Sequence, residues 1–142
     1  MAFEDPGTGR NIMNSNVGPE APTVTLAEAC KRGDVLGYSS GWKMANADAA
    51  TIIQGRLVAL QGGAIGDVIP ISQNPVVQYT LGATKLLTPG GYVYVADGDV
   101  FGLITQTMPD TTSGDAQTII GIALSTTEVL FFLNSRVDAT KT

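Results

Sequence analysis

From Asp34 onward the chain alternates brief apolar runs with Gly, Pro and Asn, a pattern that predicts short strands and little helix. Val35–Tyr38 and Trp42–Met44 flank Ser39, Ser40 and Gly41 and predict a hairpin. Residues 46–50 predict a turn or a very short helix. Strands are expected at 56–60, 68–71 and 76–81, with Pro70 and Pro75, which cannot donate to a ladder, at edges or strand ends. Residues 92–96 and 99–104 predict a second hairpin around Asp97 and Gly98, because Asp-Gly suits a type I′ turn. A polar loop is expected at 107–117, and 118–124 with 128–133 should form the last strand pair. Strands at this spacing indicate an all-β domain, a sandwich or a small barrel.

Residues 1–24 show neither the period of a strand nor that of a helix and are rich in Gly, Pro, Asn and Thr. They predict an extended N-terminal arm, followed by a β-domain at 25–135 and a C-terminal tail at 136–142. The arm's larger apolar side chains are Phe3, Ile12, Met13, Val17 and Val24. Their burial on the chain's own domain is too little to offset the entropy of ordering the arm, so a partner is expected to order it. Thr25 and Glu28 have capping-box spacing before Gly33, which leaves 25–32 as a short helix or an edge strand.

The triplet Gly-Asp-Val begins at positions 33, 66 and 98, a near-regular spacing that suggests a repeated strand pair. Asp34, Asp67 and Asp99 are expected to bond backbone amides at turns.

Composition sharpens this picture in two ways. Only 15% of the 142 residues are charged while 44% are hydrophobic, against about 25% charged in an average soluble domain. Free monomers usually keep a charged, patch-free surface, so other protein chains are expected to cover part of this one. The net charge of −5, with no Lys or Arg between Lys85 and Arg136, gives no basic cluster for nucleic acid. The longest apolar run, 129–133, is strand-sized, and the first residues lack the basic and apolar regions of a secretory signal, so neither membrane insertion nor secretion is expected.

Histidine is absent, which removes Ser-His-Asp and Cys-His nucleophile activation and the commonest general base. Cys30, the single cysteine, is expected as a small buried group, and no phosphate-cradling glycine motif occurs. Asp97 and Asp99, with Asp110 and Asp115, form the densest carboxylate group, but a hairpin turn explains the first two and no EF-hand loop is matched. No catalytic residue, cofactor, metal or small-molecule substrate is expected. Tyr38, Trp42, Tyr92 and Tyr94 are the candidate subunit-interface aromatics, with a sugar-binding platform as the alternative.

The segments 33–38, 55–60, 66–71 and 91–95, continuing through Pro109 to 121–125 and 128–132, resemble the head decoration, or cement, proteins of tailed bacteriophages. The resemblance spans about residues 33–133. It implies a small β-barrel or β-tulip domain, a homotrimer, and attachment to the major capsid protein lattice on the outside of the virion after synthesis in the host cytoplasm. It also implies that an extended arm staples neighbouring subunits. A receptor-binding or fibre-associated adhesin is the alternative reading, and a carboxylate-based glycan hydrolase a more distant one.

Overall fold

The computed structural model describes residues 3–14, 22–135 and 137–142. Its strands are β1 (Arg10–Asn14), β2 (Thr23–Thr25), β3 (Val35–Tyr38), β4 (Trp42–Met44), β5 (Leu57–Ala59), β6 (Val68–Ser72), β7 (Val76–Tyr79), β8 (Tyr92–Val95), β9 (Ile104–Thr105), β10 (Gly121–Ala123) and β11 (Glu128–Phe131). Single 3-10 turns form at Ala49–Thr51 and Leu133–Ser135. The domain is all-β.

The strands divide into two antiparallel sheets, ordered β1-β7-β11-β10-β8-β9 and β2-β6-β5-β3-β4. A closed barrel is not formed among the described residues. The five-stranded sheet nevertheless curls until its edges touch, at a single parallel bridge between Leu26 and Trp42 where the Ala27 amide donates to the Trp42 carbonyl.

The curl explains why β3 and β5 are buried on both faces. Val35 and Val58 face the six-stranded sheet and join Val77, Val93, Val129 and Phe131 in the larger core. Leu36, Leu57 and Ala59 point the other way, into a second core with Leu26, Ile69 and Ile71. Side chains alternate across a strand, so one sheet serves two cores at once.

Residues 3–14 lie on this chain's own domain, where the sequence led us to expect ordering by a partner. β1 pairs with β7 and so becomes the edge of that sheet, Arg10 opposite Tyr79 and Ile12 opposite Val77. Phe3 meets the Tyr79 ring edge-on, with centroids 6.1 Å apart. An account limited to apolar side chains omits two contributions: the ladder of backbone hydrogen bonds, and the guanidinium of Arg10, which is fully buried. β2 pairs with β6, so the N-terminal segment supplies an edge strand to each sheet. Val17 lies outside the described residues.

Several local expectations are corrected. Of residues 25–32, Thr25 ends β2 and 26–32 form neither helix nor strand; Leu26 and Cys30 make isolated bridges to Trp42 and Gly63, and Glu28 accepts a hydrogen bond from the Met44 amide at 3.0 Å. Pro70 lies inside β6, between two strands, yet at the last rung toward β5, where its carbonyl still accepts from the Leu60 amide. The β8–β9 hairpin is joined by a longer loop in place of a two-residue turn: Val95 pairs with Ile104 and the Ala96 amide donates to the Leu103 carbonyl. The side-chain amide of Asn46, itself buried, donates to the carbonyls of Gly98 and Val100 and draws the loop across the domain.

Candidate interaction surfaces

The N-terminal segment is anchored by a buried ionic cluster. Arg10 Nη1 donates to Asp34 Oδ1 and, at 3.1 Å, to the Arg32 carbonyl, and Nε lies 3.5 Å from Asp5 Oδ1. Asp5 is also committed to backbone, accepting from the amides of Gly7 at 2.9 Å and Ile104 at 3.1 Å. Burial pulls against the charge on Arg10, but the two carboxylates outweigh it and hold its pKa above the ordinary value. Arg10 sits on the six-stranded sheet while Asp34 precedes β3 of the other, so the cluster ties the two sheets together.

Beside this anchor is a cavity of about 500 Å³ lined by Gly7, Cys30, Asp34, Met44 and Phe101 among others. Burial, reinforced by Asp34, pushes the Cys30 thiol up to about 11. A thiol protonated at neutral pH is a poor nucleophile.

A second feature lies on the outward face of the six-stranded sheet. Tyr92 pairs with Ile122, Ile122 with Leu130, and Leu130 with Val76, giving one apolar row across four adjacent strands. The neighbours Val93, Ala123, Val129 and Val77 point into the core, so the row must point out. Tyr92 is 56% exposed, and Leu124 and Val137 are exposed as well. Below the row, Tyr92, Ile119, Phe132 and Val137 line a hollow of about 310 Å³. Tyr94, on the same strand, is buried, and burial raises its hydroxyl pKa.

The third feature is at the tip of the β3–β4 hairpin. Tyr38 and Trp42 are cross-strand partners whose rings meet at 81° with centroids 5.4 Å apart. Tyr38 is largely exposed, while Trp42 forms part of the wall of a groove of about 530 Å³ that opens into the second core. Val24 lines the same groove.

The structure thus brings Val24, Tyr38 and Trp42 to one place and sets Tyr92 on a different sheet. Phe3 and Ile12 face the core of this chain, whereas Met13 is half exposed on β1. Sequence reasoning missed Arg10 and the outward residues Val76, Ile122 and Leu130. For the latter a signal was present: strands with apolar residues at adjacent positions, as in Val76-Val77 and Val129-Leu130, are apolar on both faces. A lone arginine in a Gly-rich segment carries no such signal.

The carboxylate group resolves into separate turn contacts. Asp115 accepts from the amides of Ala49 and Thr112 and from the Thr111 hydroxyl, while Asp97, among the described residues, meets only the Thr111 hydroxyl, at 3.5 Å. Among the described residues no three His, Cys, Asp or Glu side chains converge as a metal site. Comparison with family models, with curated proteins and with solved structures finds no match.

Proposed function

We propose that this chain is a non-enzymatic structural protein that forms a homotrimer on the outer surface of a tailed-bacteriophage capsid and stabilises the shell. The observation that carries this reading is the outward apolar row of Tyr92, Ile122, Leu130 and Val76 across four adjacent strands, with Tyr92 exposed and the other three half-buried. Such a face is costly to leave in water and suits burial against a second copy. The low content of charged residues and the segments similar to head decoration proteins support the same assignment.

In this reading the N-terminal residues 1–24 staple neighbours from the sheet edges. β1 and β2 each occupy an edge, where unpaired backbone groups can add a strand from another chain, and Met13 is exposed beside them. Attachment at several weak contacts is strong collectively, and a trimer that binds only the assembled lattice stabilises that lattice by mass action. Co-sedimentation of the purified chain with decoration-free capsid shells tests the assignment. Saturable binding at the shell's three-fold positions, with a rise in shell melting temperature, is expected; a chain that stays in the supernatant at every ratio contradicts it.

A further inference from the structure

We infer that the groove beside Trp42 is a binding site for a neutral glycan. Its walls divide by chemistry. The inner wall is apolar, formed by Val24, Leu57 and Ile71 with the Trp42 indole, and the outer wall carries Ser72, Gln73, Asn74 and Asn134. Among the described residues no ionisable side chain lines it.

Sugars present a C–H face that stacks on an aromatic ring and a rim of hydroxyls that both donate and accept. Side-chain amides are the complementary groups, since each offers two donors and an acceptor. The amides of Gln73 and Asn134 make no hydrogen bond to protein among the described residues, and Asn74 is engaged only by the Ser72 hydroxyl, at 3.4 Å. These groups are therefore available to a ligand. The Trp42 ring is positioned before any ligand arrives: Tyr38 packs edge-on against it, and its backbone is held at the Leu26 bridge. A pre-positioned aromatic ring with unpaired amides at the rim of a pocket of this volume matches the general form of a small-ligand site, an apolar body with a few polar groups. Among the described residues the groove offers no cation to an anionic sugar, so its chemistry favours neutral glycans. This inference does not depend on the capsid assignment.

Trp42 is the sole tryptophan, so intrinsic fluorescence reports directly on the groove. The test probes the labelled full chain, and its Asn134→Ala, Gln73→Ala and Trp42→Ala variants, against a printed array of neutral and acidic oligosaccharides. Binding is then followed by Trp42 fluorescence, using the neutral oligosaccharide that the wild-type chain retains most strongly. Wild type is expected to retain neutral glycans with a saturable change in emission. Asn134→Ala and Gln73→Ala, which keep the reporter and alter only the groove rim, should each weaken binding by about tenfold. The inference is overturned by a blank array, by retention of acidic glycans alone, by fluorescence affinities unchanged in both Asn134→Ala and Gln73→Ala, or by undiminished array retention of Trp42→Ala. A shift in emission with the protein's own concentration, indicating that a second copy fills the groove, also overturns it.

Discussion

The Gly-Asp pair is the smallest unit that explains this fold. At residues 31–34, 64–67 and 112–115 the chain makes the same turn: the carbonyls of Lys31, Ala64 and Thr112 accept from the amides of Asp34, Asp67 and Asp115 at 3.0, 3.1 and 3.0 Å. Each Asp carboxylate then accepts from the amide three residues before it, at 2.9, 2.9 and 3.0 Å. The glycines before the aspartates have φ of 87°, 90° and 96°. The Gly-Asp-Val period read from the sequence therefore marks two of these turns correctly and the third wrongly. Gly98 has positive φ, but Asp99 makes no such bond among the described residues, whereas the turn at Gly114-Asp115 lacks the following valine.

Two of these aspartates have additional work, and each gives a prediction. Asp34 receives Arg10, so Arg10→Met strands buried carboxylates and should cost about 3–5 kcal/mol in a urea titration. Asp115 is opposed by burial but held below the ordinary carboxylate range by its amide and hydroxyl donors. A depressed folded pKa gives stability that is present above the unfolded pKa, near 3.9, and is lost as pH falls through the folded value. Burial holds Asp34 above its ordinary range despite Arg10, which has the opposite sign, so a local probe is needed. Exchange of the Ala49 and Thr112 amides should accelerate below about pH 4 in the wild type. In Asp115→Asn these amides should exchange fast already at neutral pH, with little further acid response.

At the scale of elements, legibility followed the reach of the interactions that fix each one. β3 and β4 form at the residues expected, because the turn at Ser39 to Gly41 is encoded within the hairpin itself. β5 to β8, β10 and β11 were readable for the same reason, with ends shifted by a few residues, whereas the strand expected at 99–104 shares only Ile104 with β9. β1 was not readable, since its place depends on Tyr79 and Asp34, far along the chain, and on polar Asn11 at an edge. The loop after β8 was misread because Asn46, fifty-odd residues away, decides its path. The interface aromatics were legible as residue types, but which face each would occupy needed the sheet register.

The turn motif also separates local from long-range cost. A Cβ at Gly66 would meet no atom within 4 Å, so Gly66→Ala should cost only its left-handed backbone, about 1–2 kcal/mol. At Gly33 the same atom would stand 2.6 Å from Cδ of Arg10, against a side chain that is buried and cannot move aside. Gly33→Ala should therefore cost clearly more than Gly66→Ala in thermal denaturation, and the difference should shrink in an Arg10→Ala background. Equal costs in both backgrounds would remove the anchor from the account of how the N-terminal segment is held.

For the whole molecule, the two sheets and the strap formed by residues 3–14 make a body whose chemistry is concentrated at its surfaces. The strap uses its own core for Phe3, Ile12 and Arg10, which leaves Met13 and the strand edges for neighbours. The C-terminal tail is likewise tied down, by paired hydrogen bonds from Arg56 to Asp138 at 2.8 Å and by a bridge between Ala116 and Thr140. The apolar row on the six-stranded sheet faces outward, and self-association through it is the claim on which the proposed function depends. Light scattering of the wild-type chain and of an Ile122→Asp, Leu130→Asp variant at micromolar concentration tests that claim most directly. The account predicts the mass of three chains for the wild type, and of one chain for the variant with its fold retained by circular dichroism; a wild type that is monomeric, or a variant that still trimerises, would contradict it.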